Sequence, residues 1–139
     1  HRDFHGALSN AIEYLHRKYG AEAVRDYLRQ FTRRFYAPLK ERIGEKGLAA
    51  LKDHYEKVYA LEGEGVSASL EENGLTIRVE RSPAVMHMRK QGYPVAELFH
   101  ETVRTVNQTL CEGAPFESEL RNYDPATGGC IMIFRRVNQ

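Results

Sequence analysis

The spacing of apolar residues changes once along this chain, near residue 63, and that change constrains the fold more than any other feature. Before it, apolar side chains recur at helical intervals. Phe4, Leu8, Ile12, Leu15 and Tyr19 form one face, with Gly20 as a natural stop, and Val24, Tyr27, Leu28, Phe31 and Phe35 form the next. Arg25, Arg29 and Arg33 make a second stripe on that helix, which reads as a solvated face. Pro38 interrupts the run, a short helix over 39–43 follows, and Gly44 and Gly47 punctuate it. A further helix carries Leu48, Leu51, Tyr55, Val58 and Leu61 and ends at Gly63. After it the period drops to two. Val66, Ala68 and Leu70 alternate with polar residues, as do Leu75, Ile77 and Val79, and Asn73-Gly74 between them is a strong hairpin signal.

Helical spacing then returns. Ser82-Pro83 has the form of an N-cap with proline at the first helical position, so a short helix runs to Gly92. Pro94 opens a longer helix that ends near Gly113. Strands over 116–123 and 130–136 flank a loop containing Asp124-Pro125 and Gly128-Gly129. This order predicts an α+β fold: N-terminal helices, then a hairpin, two helices and a hairpin that form a four-stranded antiparallel sheet packed on helices. Its 139 residues fit a single domain, with a helical part over 1–62 and a part with the sheet and two further helices over 63–139. A chain of this size buries a core without help from disulfides or metals.

Charge narrows the partners. Twenty Lys and Arg against nineteen Asp and Glu leave a net charge of +1, which argues against nucleic acid as a partner. No apolar run is long enough to span a membrane, and no apolar signal segment is visible, so a cytoplasmic location is expected. Cys111 and Cys130 are too few for a disulfide scaffold. A disulfide between them is not expected in a reducing compartment. CxxC, HExxH, GxGxxG and P-loop motifs are absent. Of the six histidines only His1 and His5 have ligand-like spacing, and no metal site or cofactor is expected. Glu117 and Glu119 share a strand face and read as solvated charges rather than a paired acid and base.

The helix that follows Pro94 is the most informative element. Phe99, Val103, Val106 and Leu110 form an apolar stripe, and His100, Arg104, Asn107 and Cys111 form a second stripe beside it, within about 60° of arc. Glu101, Thr105, Gln108 and Glu112 fall on the remaining face, read as solvent-facing. Polar, titratable groups bordering an apolar stripe suit the wall of a pocket. Cys111 is either a nucleophile or a small buried hydrophobe. His100 lies roughly 16 Å along the helix from it, too far to activate it, which makes His87 the better histidine partner. Cys130, beside Gly128-Gly129, sits where backbone can approach closely.

Ser82-Pro83-Ala84-Val85 with His87, then Asn107 and Leu110-Cys111-Glu112-Gly113, then Tyr123-Asp124 and Gly129-Cys130 before Phe134 resemble the L-2-amino-thiazoline-4-carboxylic acid hydrolase-like family. Many such sequences carry cysteine where this chain has Ser82 and His100. The element order also resembles the wider superfamily of vinyl-4-reductase-like sensor domains and TRAPP transport subunits. The resemblance implies a small-molecule cavity between sheet and helices, and a homodimer through the N-terminal helices. It implies cofactor-independent, ring-opening hydrolysis of a small cyclic amidine or thiazoline. For that reaction His87 or His100 would serve as base, Asn107 as donor, Arg104 as carboxylate clamp, and Cys111 or Cys130 as pocket groups or nucleophile. The alternative is a non-catalytic, sensor-like domain with an apolar cavity. His, Arg and Cys converging on the cavity favour chemistry, whereas a lining of Phe, Leu and Met favours binding.

Overall fold

The computed structural model describes residues 2–60 and 65–137, and within them the chain forms six helices and four strands. Four helices come first: α1 (Arg2–Tyr19), α2 (Ala21–Phe35), α3 (Ala37–Lys46) and α4 (Leu48–Ala60). The hairpin β1 (Val66–Leu70) and β2 (Gly74–Val79) follows, then α5 (Pro83–Gln91), α6 (Glu101–Leu110), β3 (Phe116–Arg121) and β4 (Cys130–Arg136). The strands form one antiparallel sheet in the order β1-β2-β4-β3, giving the expected α+β class. The expected end of the fourth helix at Gly63, with Leu61, lies outside the described residues, as does His1.

Local chemistry explains most boundaries. Gly20 takes φ 94°, which stops α1 and turns the chain directly into α2. Pro38 does not kink a longer helix; it sits in the first turn of α3, where its missing N–H costs nothing, and α3 continues past Gly44 to Lys46. The Ser82 hydroxyl accepts from Val85 N at 3.4 Å, and Gly92 closes α5 at φ 71°. The first hairpin turns one residue earlier than expected, because Glu71 N–H donates to Gly74 C=O and Gly74 already pairs with Arg135. The third strand stops at Arg121, short of Tyr123, where Asn122 adopts a left-handed φ of 54°.

The expected helix start at Pro94 is wrong. Residues 94–100 are irregular, and α6 begins at Glu101. The cause is Ser9 on α1, whose hydroxyl donates to Pro94 C=O at 3.1 Å and accepts from Ala96 N–H at 2.8 Å. The first contact takes the carbonyl that a helix starting there would have used for its own first bond, and the second holds Ala96 in place beside α1.

Two apolar interiors result. One lies beneath the sheet, where Ile77, Met132 and Phe134 are fully buried against α3, α4 and α6 through Ile43, Leu51 and Leu110. Burial of each such side chain contributes about 1.5–3 kcal/mol. The other lies among α1, α2, α5 and the segment before α6, built on Ile12, Val24, Leu28, Val85, Met88 and Phe99.

Candidate functional site: a chamber between the two interiors

A cavity of about 590 Å³ occupies the space between the helices and one end of the sheet. Its apolar walls come from Phe4 and Leu8 of α1, Leu28, Phe31 and Phe35 of α2, and Phe99, Val103 and Val106 at the start and along one side of α6. The polar atoms in the lining belong mainly to Tyr36 and Tyr59, Ser82, Thr102, Tyr123 and Cys130, with His5 near the α1 end. No Lys, Arg, Asp or Glu lines it among the described residues. Burial pushes the Tyr123 phenol up to about 12 and the Cys130 thiol up to about 11, and it raises Tyr59 further. These three groups are therefore neutral near pH 7 and act as hydrogen-bonding groups rather than ions.

Glycines bring the floor together. Gly128 has φ 72°, and a Cβ there would stand 2.7 Å from Val85 Cγ2, so only glycine lets this loop close onto the start of α5. Gly129 runs equally close to the Glu80 carbonyl. The close backbone approach expected beside Cys130 is thus present, and it sets Cys130 against Ser82 and Pro83 in the lining.

The polar stripe of α6 does not meet as one wall. Asn107 is buried on the sheet side, where its side-chain oxygen accepts from the Tyr55 hydroxyl and fastens α6 to α4. Cys111 is buried in the same interior, its thiol pushed up to about 11 by desolvation. Arg104 is exposed, 3.9 Å from Glu101, and does not line the chamber. His100 lies outside the lining but rests 5.7 Å from the Tyr123 ring, and partial burial lowers its pKa. His87 lies on α5 at the edge of the helical interior, 6.2 Å from the Tyr93 ring, with a buried Nε2 that has no partner in the structure. Of the six residues singled out in the sequence, Cys130 alone lines the chamber.

Two expectations about charge are overturned together. The face of α6 with Glu101 and Thr105 is buried, both residues being at most 1% exposed, and only Gln108 and Glu112 on that face meet solvent. One residue of the α2 arginine stripe, Arg25, covers that face, while Arg29 and Arg33 stay partly in water. Arg25 Nε donates to Glu101 Oε2 at 2.7 Å, Thr105 donates to the other carboxylate oxygen, and Arg33 grips Glu112 through two bonds of 2.9 and 2.7 Å. Arg29 stays on α2, paired with Glu22 and Asp26. A buried carboxylate needs such partners because isolated charge is costly in an apolar interior. The signal available in the sequence was complementarity: two basic residues two turns apart on one helix, two acidic residues three turns apart on another.

A second hollow of about 580 Å³ lies on the outside of α1, lined by Asn10, Glu13, Tyr14, Arg17 and Lys18 with Ser9, Pro94 and Ala96. Its charges pair locally, as Glu13 does with Arg17 at 3.6 Å, and Ser9 is committed to the 94–96 segment. Glu119, on the outer sheet face, pairs with Arg121 and Arg135 rather than with Glu117. Among the described residues no three His, Cys, Asp or Glu side chains gather as metal ligands, and no helix is long and apolar enough to cross a membrane. No family model matches the chain, and no curated protein matches it significantly.

Proposed function

We propose that this chain binds an uncharged, largely apolar small molecule in the chamber between α1, α2 and α6. The observation that carries this reading is the lining: a volume of about 590 Å³, walled by Phe, Leu and Val, without a Lys, Arg, Asp or Glu among the described residues. That volume falls within the usual range for small-molecule sites. The phenols of Tyr59 and Tyr123 and the Cys130 thiol offer neutral hydrogen bonds to one end of a ligand. An unpaired carboxylate buried here would cost several kcal/mol, so an anionic ligand is disfavoured.

The ring-opening hydrolase reading needs a base, a donor and a cation around one carboxylate substrate. What favours it is His100, whose pKa burial lowers and which touches the chamber wall through Tyr123. Against it stand the exposure of Arg104 and the engagement of Asn107 with Tyr55. Nondenaturing mass spectrometry of the purified protein, with turnover of 2-aminothiazoline-4-carboxylate measured alongside, separates the two. A bound neutral lipid-like mass without turnover is the expected result. Turnover that is lost in His100→Ala would replace binding with catalysis.

A further inference from the structure

The two edges of the sheet are built differently. The β3 edge carries Glu117, Glu119 and Arg121, charges of the kind that discourage a further strand. The β1 edge reads Val66-Ser67-Ala68-Ser69-Leu70, with no charge and no proline, and its only extensive neighbours among the described elements are β2 and α4. The ladder to β2 fixes which backbone groups are used. Glu80 donates to the Gly65 carbonyl and Glu71 to the Gly74 carbonyl, so the odd-numbered residues of β1 point their N–H and C=O toward β2. The backbone groups of Val66, Ala68 and Leu70 therefore point outward, away from the sheet.

The same segment matches itself when reversed. Antiparallel pairing about Ala68 sets Val66 opposite the partner's Leu70, Ser67 opposite the partner's Ser69, and Ala68 opposite its own copy. Every outward backbone group then meets another outward group, and apolar residues meet apolar while serines meet serines. No like charges oppose each other in that register. Leu70, 42% exposed although it lies on the inner face of its strand, gains an apolar neighbour. Beside the edge lies a groove of about 220 Å³, lined by Tyr55, Tyr59, Val66, Ala68 and Ile77 with Glu56 as its one charged residue, on the inner side of β1.

We propose that the β1 edge is a homodimer interface, in which two copies pair their β1 strands antiparallel about a two-fold axis at Ala68 and join their sheets into one. An isologous contact of this kind needs one self-complementary patch, which this strand supplies. It differs from a dimer through the N-terminal helices, which the resemblance implies.

Sedimentation equilibrium of the full chain tests it. The wild type is expected at twice the 16.0 kDa chain mass. Ala68→Pro removes an outward N–H without touching the ladder to β2, and it is expected to give the monomer. The double variant S67K/S69K places lysines opposite one another and is also expected to be monomeric, whereas S67E/S69K, which sets Glu against Lys, keeps the dimer. The lysine pair decides the matter if the proline variant fails to fold. A wild type that sediments as a monomer at every concentration overturns the proposal. So does a dimer that survives S67K/S69K but is lost in Y14E/Y19E on α1.

Discussion

The two interiors of this protein differ in what fills them and in what holds them shut. Beneath the sheet, strand alternation delivers Leu75, Ile77, Met132 and Phe134 against helices, all at most 1% exposed, and the space is packed by side chains alone. Among the helices Ile12, Val24, Val85 and Met88 are fully buried too, but Leu28 and Phe99 sit beside apolar residues of α1 and α6 that do not close on one another. They surround a hollow, and the helices that flank it are joined by ions: Arg25 to a fully buried Glu101 at one end of the seam, Arg33 to Glu112 at the other. A sheet and a helix layer can interdigitate at every residue, whereas α1, α2 and α6 meet around a common centre and leave room there. The empty volume therefore arises from how the helices converge, and the polar stripe of α6 has no part in it.

The largest effects come from removing what closes each interior. Phe134→Ala is expected to cost about 3–5 kcal/mol by opening a void beneath the sheet. Arg25→Ala should cost less, about 1–3 kcal/mol, for a different reason: it removes the short ion pair of the buried Glu101 carboxylate and leaves it the Thr105 hydroxyl and Arg104 at 3.9 Å. Urea unfolding measures both. If Arg25→Ala loses no more than a surface pair would, the helical interior is not held by that ion pair.

Adding volume separates the interiors more sharply. Val79→Phe, in the packed interior, is expected to lose about 1–3 kcal/mol through overpacking. Val103→Phe puts the same bulk into the chamber, where there is room, so stability should change little while binding of an apolar probe falls at least tenfold. Melting curves and titration with a neutral fluorescent probe read the two quantities. Equal destabilisation by both substitutions would mean that the chamber is not open space.

Much of this architecture was legible in the sequence. The change of period located the sheet, and the α1, α2 and α6 stripes turn an interior face inward at Ile12, Val24, Leu28 and Leu110, whereas Tyr19, Tyr27 and Phe35 on the same stripes are exposed. The identity of that interior was not legible, because periodicity reports which face turns inward but not whether the space it faces is filled. Phe31 and Val103 carry the same pattern as Val24 and Leu110, yet the first two border a hollow. Glu101 was misread for a related reason. Its position opposite the apolar stripe implies water when α6 is taken alone, and the neighbour that buries it, α2, comes from residues more than seventy positions away. Ser9 acted over a similar distance, taking the Pro94 carbonyl that the first turn of a helix there would have used.

The smallest effect lies at the exposed end of the seam. Arg33 holds the Glu112 carboxyl below its ordinary 4.5. A lowered folded value contributes stability that is present above the unfolded value and is lost as pH falls through the folded one. Because the pair is half exposed, the contribution is at most about 1 kcal/mol. It should fade below pH 4.5 in the wild type and be absent in Glu112→Gln, as followed by urea midpoints across the acid range. A Glu112→Gln profile that matches the wild type would remove Glu112 from the seam's energetics.

The most direct test of the chamber's character compares a fatty alcohol with the fatty acid of equal chain length, titrated near neutral pH where the acid is ionised. A lining without lysine or arginine should hold the alcohol at least tenfold more tightly, and Val103→Phe should abolish that binding. Equal or tighter binding of the carboxylate would contradict the account, because it would require a strong positive partner that the apolar walls do not supply.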